Sequence, residues 1–527
     1  MQIADYAVIG VYLLVVVFIG LRARRTVHTS ADFFLSGRSL PASITGLAFM
    51  AANLGSFELM GFAANGAKYG MFTNQLYWIG SVPAMVFASL IMVPFFYRSG
   101  VRSVPEFLRI RFDEKCRALN AISFAFLTIF TSGLSLYGLA IVFHSLFGWS
   151  INLCIWASAV TVLSYVMAGG LRASIYTEVL QFFLMVAGIL PLSIMVLHSL
   201  GGLSGILSRV PENLRHTWTP VIHPQNTPFG AGFFAIFVGL IVASFAYWST
   251  DFLVIQRALA AKDLDAAQKT PLIATFPKMF FPVLTVVPGL AALLVIPRQI
   301  EGNYNMVLPV MFLHYYPTGL LGIGITALLS SFMSGMAGNV TAFNTVWTYD
   351  IYQNYIAKNR SDHHYLNVGR IVTAVGIIIS IATAYSARAF PNIFDYWALL
   401  SAIFVGAPFG TFSLGVFTHR VGGTAAFSGM LCGILVTITH YFLYNSGVLH
   451  YGSALAMDFY GAAYGFFANV GVALLISVFE RNLAIYRLKK SHMGEDCSDS
   501  PRAWYRTPQA IAVFSLVVMI ILNVVYW

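Results

Sequence analysis

Charged residues are scarce in this sequence: Asp, Glu, Lys and Arg together make up only 9% of its 527 residues. Soluble domains carry about 25% charged residues, so the composition excludes a water-soluble enzyme, a disordered protein and a nucleic-acid-binding domain. The four cysteines show no paired spacing, which gives no sign of a disulfide framework or a metal site. Apolar residues are abundant instead, at 58% of the chain, and the mean hydropathy is +0.76. The chain is therefore predicted to be an all-α polytopic membrane protein.

Long apolar runs recur along the whole chain. Because a hydrocarbon core of about 30 Å requires about 20 apolar residues per helix, we expect about fourteen membrane spans. The run at 5–21 has no small-residue cleavage site after it, so it is predicted to be a retained helix and not a signal peptide. The predicted spans are 5–21, 42–69, 75–97, 119–147, 151–168, 173–199, 231–256, 270–296, 317–356, 365–387, 391–418, 423–445, 460–480 and 508–526. The segments between them are too short for a second domain, so residues 1–527 are predicted to form one membrane domain.

The basic residues are distributed unevenly between the two sides of these spans. With the N-terminus outside, 24 of the 30 Lys and Arg residues fall in inner segments and five in outer ones, while Lys278 lies within a span. Inner segments of membrane proteins carry an excess of Lys and Arg, so both termini are predicted to lie outside. The net charge of +10 then reflects orientation in the lipid bilayer of a cell membrane, plasma or inner, and no nucleic-acid partner is expected.

Motifs of ATPases and hydrolases are missing from the sequence. No segment reads GxxxxGK[ST], so ATP-driven pumping has no support. No span carries HExxH or GxSxG, so intramembrane hydrolysis has none either. The protein is not expected to be an enzyme, and no obligate protein partner is evident.

A few ionisable residues lie inside or at the ends of the predicted spans, where each costs on the order of a few kcal/mol and marks a functional site or a buried pair. They are Glu58, Glu178, Asp251, Lys278, Asp350 and Asp395. Small and polar residues interrupt two apolar helices, at 51–58 and at 244–251. Broken helices at matching positions of two inverted repeats are typical of secondary transporters, which bind solute and ion at the midplane. The alternative is close helix packing by small residues.

Six motifs in chain order resemble those of the sodium:solute symporter family, which includes the sodium/glucose cotransporters. They are SVPEFL at 103–108 with RF at 111–112, GGLRA at 169–173 with TE at 177–178, YWSTD at 247–251 with QR at 256–257, PG at 288–289, TYDIY at 348–352 and FDY at 394–396. The resemblance implies a LeuT-like fold with two inverted repeats of five helices, at 42–199 and 231–418. The helix at 5–21 then precedes the repeats, and peripheral helices at 423–527 follow them.

The resemblance also implies a sodium site, built from carbonyls at the first break and from the eighth core helix. The implied ligands are Ala51, Leu54, Ser331 and Ser334. A further family hydroxyl falls on Gly335, hydroxyls of a second cation site fall on Ala337 and Gly338, and the acid of that region is Glu178. Because these hydroxyls are absent, three alternatives to an ordinary sodium site stay open. Water replaces the missing ligand, the coupling ion is a different one, or the two serines only bond their own helix backbone.

Solute contacts are implied around the two breaks, at Asn53, Glu58, Tyr77, Ser244, Tyr247, Trp248, Asp251 and Lys278. Lys278 is the strongest candidate, because a lone cation inside a span needs a carboxylate, carbonyls or a hydroxylated solute beside it. Its alternative role is a structural salt bridge to Glu58 or Asp251. Tyr247 and Trp248 suit stacking on a sugar ring, and Tyr247 is expected to close the inner exit. The residues that depart from the family's sugar-binding pattern are Glu58, Tyr77, Ser244 and Ala398.

The predicted function is cation-coupled import of a small polar solute by alternating access, with sodium as the coupling ion and a sugar or polyol as the solute. Glu58 disfavours a carboxylate solute unless Lys278 neutralises it, and this carboxyl is also a candidate proton carrier. The alternatives are a proton-coupled symporter, an uncoupled facilitator, and a symporter for a monocarboxylate or an amino acid.

Overall fold

The computed structural model describes residues 2–24, 29–55, 57–218, 235–390, 392–480 and 504–526. In these ranges the chain is helical throughout, without a strand, and one isolated bridge joins Leu40 to Ala261. The all-α architecture predicted from composition is therefore confirmed. Cys497 and the basic residues predicted for the last inner segment, apart from Arg506, lie outside the described residues.

The first part of the chain forms nine helices within the described ranges. They are α1 (Ile3–Arg24), α2 (Ser30–Leu35), α3 (Ala42–Asn53), α4 (Phe62–Tyr69, entered through a wide helical turn at Phe57–Gly61), α5 (73–98, with wide turns at Leu76–Ser81 and Ala88–Met92), α6 (Val104–Arg111), α7 (Glu114–Phe147), α8 (Ile151–Leu200) and α9 (Gly202–Leu207).

The second part of the described chain adds thirteen helices. They are α10 (Leu240–Thr250, after a wide turn at Ala235–Gly239), α11 (Phe252–Leu259), α12 (Leu264–Phe280), α13 (Pro282–Val295), α14 (Pro297–Ile300), α15 (Val307–Tyr315), α16 (Leu320–Val346, continued by wide turns at Trp347–Ile356), α17 (Asp362–Ala387), α18 (Ile393–Ser401), α19 (Phe409–Phe417), α20 (Gly423–Asn445), α21 (Ala454–Phe479) and α22 (Pro508–Val525).

Every predicted span overlaps a helical segment of the described chain, but the count of fourteen is not settled by this. Among the described residues, eleven helices are long and apolar enough to cross a membrane, or twelve when the bent pair α10–α11 is one span. The larger differences from the prediction are that α21 begins at Ala454 and not at 460, and that α14 and α15 lie in the predicted connection 297–316. The number of crossings, the side of each terminus and the division into two repeats stay predictions.

Both predicted helix breaks are present. After α3, Leu54 leaves the helical conformation at φ −73° and ψ 44°, and the chain becomes helical again at Phe57. The second break is narrower than predicted, because α10 continues to Thr250 and only Asp251 is extended, with a bend of 42°. The Asp251 carboxylate accepts a hydrogen bond from the Leu253 N–H at 2.8 Å and so caps α11.

A third interruption divides α8 between two of the predicted spans. Gly170 has φ 55° and ψ −146°, a backbone conformation that residues other than glycine rarely adopt. A Cβ at this position would lie 2.6 Å from the backbone oxygen of Phe33 on α2. Glycine is therefore required both by the backbone angle and by the close approach of α2.

The centre of the bundle is α16, whose side chains are almost all buried. It packs against α7, α8, α3 and α1. Helices at the periphery expose large apolar side chains, among them Val11 on α1, Phe467 on α21 and Phe514 on α22. A water-facing surface would not carry such apolar faces, so they are the lipid-facing side of a membrane-embedded bundle.

Candidate functional site

Lys278 on α12 is the polar centre of the region between the two helix breaks. Its Nζ donates a hydrogen bond to Oε1 of Glu58 at 2.5 Å and another to Oδ1 of Asn53 at 2.7 Å. The Nδ2 of Asn53 in turn donates to the hydroxyl oxygen of Tyr247 at 2.7 Å. All four side chains are buried. This chain of contacts joins the first break, α12 and α10, and Lys278 pairs with Glu58 rather than with Asp251.

Three aromatic rings surround the Lys278 ammonium. The centroids of Tyr77, Trp248 and Phe62 lie 5.0, 5.1 and 5.7 Å from Nζ, respectively, within the range of cation–π attraction. The Tyr77 hydroxyl is 3.0 Å from Oγ1 of Thr285. The carboxylate of Glu58 and these rings together offset the desolvation of a cation held inside the bundle.

Beside this cluster lies a cavity of about 590 Å³, counted together with the part that opens to solvent. Its polar lining consists of Asn53, Glu58, Ser81, Ser244, Lys278, Ser401 and Asp458, and its aromatic lining of Phe57, Phe62, Tyr247, Trp248, Phe394, Trp397 and Phe459. Six of the eight predicted solute residues thus line the cavity. The other two are Tyr77, whose ring lies beside the Lys278 ammonium, and Asp251, which caps α11. Ala398 also lines the cavity.

One face of the cavity is covered by stacked aromatic rings. The ring of Phe57 stacks on Trp397 with centroids 4.4 Å apart and an interplanar angle of 1°. The ring of Tyr247 meets the same Trp397 edge-to-face at 5.2 Å. Flat apolar surfaces with hydroxyl, amide and carboxylate groups beside them are suited to a ring-shaped hydroxylated molecule.

The two helices that follow the breaks are each tied to another element near the C-terminal end. At the end of α4, Nζ of Lys68 lies 2.7 Å from Oδ2 of Asp395 on α18, and the Tyr69 hydroxyl donates to the same carboxylate at 3.2 Å. Beyond α11, the N–H of Lys262 donates to the carbonyl oxygen of Leu40 at 2.9 Å.

The four residues predicted for the sodium site come together at the first break. Oγ of Ser331 donates to the carbonyl oxygen of Leu54 at 2.6 Å, and Oγ of Ser334 donates to that of Ala51 at 2.9 Å. Both serines are fully buried on α16. Their hydroxyls therefore face the carbonyls of α3 rather than their own helix, and the four oxygens form an all-oxygen set, which hard cations prefer.

Gly335 accounts for the missing hydroxyl in steric terms. A Cβ on Gly335 would lie 2.8 Å from Cα of Gly55 and 3.3 Å from Oγ of Ser135 on α7. A Cβ on Gly55 would likewise meet Cα of Gly335 at 3.2 Å. The broken end of α3 and the middle of α16 touch through two glycines, so a serine does not fit at this position without displacing backbone.

Glu178 forms a second buried ion pair. Its Oε1 lies 2.5 Å from Nη2 of Arg257 on α11, and both side chains are fully buried. Oγ of Ser174 donates to the same oxygen at 2.6 Å. A Cβ on Gly338 would lie 3.2 Å from the Arg257 guanidinium, so the guanidinium occupies the region where the family resemblance puts a second cation.

Several cavity residues were not found from the sequence, and the two most informative are Asp458 and Trp397. Asp458 is 2% exposed and lines the cavity from α21, but the predicted span began two residues after it. Trp397 directly follows the FDY motif at 394–396, which indicated the segment but not this ring. The side chain of Ser453 caps α21 by accepting a hydrogen bond from the Ala456 N–H. A predicted span that began at this serine would have included Asp458 among the acids inside the membrane.

Comparison with known proteins agrees with this arrangement. Residues 33–433 match the profile described as "Sodium:solute symporter family". The chain is similar to the sodium/glucose cotransporter of Vibrio parahaemolyticus, with 28% identity over 82% of this chain and 83% of the relative. It is similar to sodium/glucose cotransporter 1 of Ovis aries, with 28% identity over 92% and 80%, and to sodium/myo-inositol cotransporter 2 of Oryctolagus cuniculus, with 27% identity over 82% and 69%.

A solved structure of similar fold is that of a Na⁺-coupled sialic acid symporter in a substrate-bound, outward-open state. It superimposes with a TM-score of 0.78 at 19% sequence identity, covering 91% of this chain and 98% of that one. At this identity the likeness concerns the fold alone. It agrees with the LeuT-like architecture implied by the sequence motifs.

Proposed function

The chain belongs to the sodium:solute symporter family, and on that premise we propose that it imports a small polar hydroxylated solute of the sugar or polyol class. As a family member it is a secondary transporter of the cell membrane and not an enzyme, and sodium is its coupling ion.

The solute binds in the cavity beside the two helix breaks. The observation that carries the proposal is the combination there of the Glu58–Lys278 pair with flat aromatic rings.

The charge of the cavity supports a hydroxylated solute over a carboxylate one. Glu58 and Lys278 neutralise each other at 2.5 Å, so Lys278 is not free to pair with a solute carboxylate. The pair still offers donors and acceptors at its outer edges, and Asn53 adds an amide. The named glucose and myo-inositol cotransporters among the relatives support the same solute class.

Sodium acts at the contact of α3 with α16. The ion binds the carbonyl oxygens of Ala51 and Leu54 and the hydroxyl oxygens of Ser331 and Ser334, in place of the two hydrogen bonds that now join them. In this way the ion holds the first break against α16, and the broken end of α3 is kept in the position that forms the solute cavity. Loss of the ion loosens that contact and permits the cavity to open inward.

One sodium ion per cycle is sufficient for useful accumulation. A cation crossing a potential of about 100 mV releases about 2.3 kcal/mol, and a tenfold concentration gradient adds about 1.4 kcal/mol. The total of about 3.7 kcal/mol sustains roughly 500-fold accumulation of an uncharged solute.

Transport in proteoliposomes tests the proposal. The purified protein is supplied with a panel of radiolabelled sugars and polyols under an inward sodium gradient, an inward proton gradient, or no gradient. We expect accumulation of at least one hexose or polyol above its external concentration with sodium only. Protein-free liposomes and the Lys278→Gln variant provide the background.

The other outcomes point to different functions. Accumulation with a proton gradient alone would transfer the coupling role to a membrane acid, Glu58 or Glu178. Equilibration in all three conditions would identify an uncoupled facilitator. If no sugar or polyol enters under any condition, the solute class is wrong, and carboxylates and amino acids become the next panel.

A further inference from the structure

Asp458 is a buried carboxylate that none of the roles above explains. It projects from the first turns of α21, is 2% exposed and lines the solute cavity. Neither carboxylate oxygen has a hydrogen-bond partner among the residues that the structure describes. A buried carboxylate without a partner is strongly unfavourable as an anion, so this group either holds a proton or is completed by a ligand of opposite charge.

The neighbouring charges do not compensate Asp458. Lys68 is the basic residue that acts on it electrostatically, but the Lys68 ammonium is held by Asp395 at 2.7 Å. Asp395 is itself an acid and adds negative potential at Asp458. On the other side of the cavity, Lys278 is bound to Glu58. The cavity therefore contains one more acidic than basic group along its lining.

The position of Asp458 is fixed by close packing on both sides of the helix. A Cβ on Gly239, in the turn before α10, would lie 2.5 Å from the carbonyl oxygen of Phe459. A Cβ on Gly406 would lie 3.2 Å from Cβ of Ala462. These contacts hold α21 close to both segments, and in this packing Asp458 lines the cavity.

The other residues that line the cavity near α21 favour a cationic group of the solute beside Asp458 over a neutral hydrogen-bond donor. Phe394, Trp397 and Phe459 contribute aromatic rings to it, and aromatic rings together with a carboxylate are the usual surroundings of an ammonium group. We propose that Asp458 forms a subsite for a positively charged group of the solute, so that the preferred substrate is an amino sugar or an aminated polyol. This inference rests on the proposed sugar or polyol class and makes it more specific.

Competition binding to the full-length protein in lipid nanodiscs tests the subsite. The probes are D-glucose, glucosamine at a pH where its amine is protonated, and N-acetylglucosamine, in which the amine is neutral. For the natural sequence we expect glucosamine to bind about tenfold more tightly than either neutral sugar, the factor given by one charge-assisted hydrogen bond. In Asp458→Asn, which keeps the size of the side chain, the ratio falls to about one, and in Asp458→Glu the preference persists.

A matched control is Asp350→Asn. Asp350 is also a buried acid with an oxygen that has no partner among the described residues, but it lies outside the cavity lining. This variant should keep the tenfold ratio, which separates the subsite from a general effect of removing a buried charge. Size-exclusion profiles establish that each variant is folded.

The outcomes separate the subsite from the proposed function. If glucosamine binds no better than glucose, or if Asp458→Asn keeps the preference, the subsite proposal is wrong while sugar transport stands. If no sugar binds at all, the proposed solute class fails, and thermal stabilisation by ethanolammonium alone then decides the subsite. Stabilisation lost in Asp458→Asn supports a cation site, whereas equal or absent stabilisation in both proteins overturns it.

Discussion

The Lys278 ammonium is 2.5 Å from the Glu58 carboxylate, and the two side chains are each 2% exposed. They are 220 residues apart in the sequence and join α12 to the helix that follows the first break. Each therefore depends on the other for its charge to be tolerated inside the membrane. Removing one partner of a buried pair costs about 3–5 kcal/mol, because the other charge stays behind.

The first prediction follows from this mutual dependence. Lys278→Ala should lower both the thermal stability and the yield of folded protein, since it leaves Glu58 unpaired. The double variant Glu58→Gln with Lys278→Gln should recover most of the stability but bind no solute. Fluorescence-detected unfolding and uptake measured on the same preparations distinguish the two effects. Normal uptake by the double variant would show that the pair is structural only.

The second prediction concerns the serines that face the first break. Ser334→Ala or Ser331→Ala removes one ligand oxygen, so each should raise the sodium concentration for half-maximal uptake by about tenfold, equivalent to about 1.4 kcal/mol. Removing sodium should also lower the unfolding temperature of the natural protein but not that of the variants. The matched control is Ser380→Ala on α17, because that hydroxyl bonds its own helix at the Gly376 carbonyl, 2.8 Å away. An unchanged sodium dependence in both site variants would place the ion elsewhere.

The third prediction concerns Gly335→Ser, for which the packing of α3 on α16 and the family resemblance predict opposite effects on sodium binding. The resemblance alone suggests that Gly335→Ser restores a family ligand and strengthens sodium binding. The 2.8 Å approach of its Cβ to Cα of Gly55 predicts the reverse, because α3 and α16 must separate. We expect weaker sodium-dependent uptake and a lower unfolding temperature.

Gly471→Ser on α21 is the control for Gly335→Ser, since a Cβ there meets nothing within 4 Å. It should leave uptake and unfolding temperature unchanged. Tighter sodium binding by Gly335→Ser would contradict the steric argument and favour a flexible contact between α3 and α16.

The fourth prediction concerns the number of coupled ions. The Arg257 guanidinium lies 2.5 Å from Glu178, in the region where the family resemblance implies a second cation site. Uptake should therefore depend hyperbolically on sodium, with a Hill coefficient of about one. Glu178→Gln should destabilise the protein by about 3–5 kcal/mol through the unpaired arginine, with the Hill coefficient unchanged. A sigmoidal sodium dependence in the natural protein would mean that a second sodium ion binds in spite of Arg257.

Much of the helical framework could be predicted from the sequence, because hydropathy and helix interruption are local properties. Each of the predicted spans overlaps a helical segment, and the small and polar residues near Leu54 and Asp251 indicated the two breaks. Helix ends are less well defined by hydropathy, because a polar residue can lie inside a helix. Asp458 is the example: the predicted span begins at 460, whereas α21 begins at Ala454.

An all-α membrane protein, two broken helices and the residue types available for an ion and a solute could all be inferred from the sequence alone. Three contacts required the packed structure: Lys278 pairs with Glu58, Ser334 faces Ala51, and Asp458 lines the cavity. Each of these contacts joins side chains from helices far apart in the chain, so it depends on how whole helices pack. Local composition determines whether a segment is a helix, whereas the partner of a buried charge is set by which helix lies beside it.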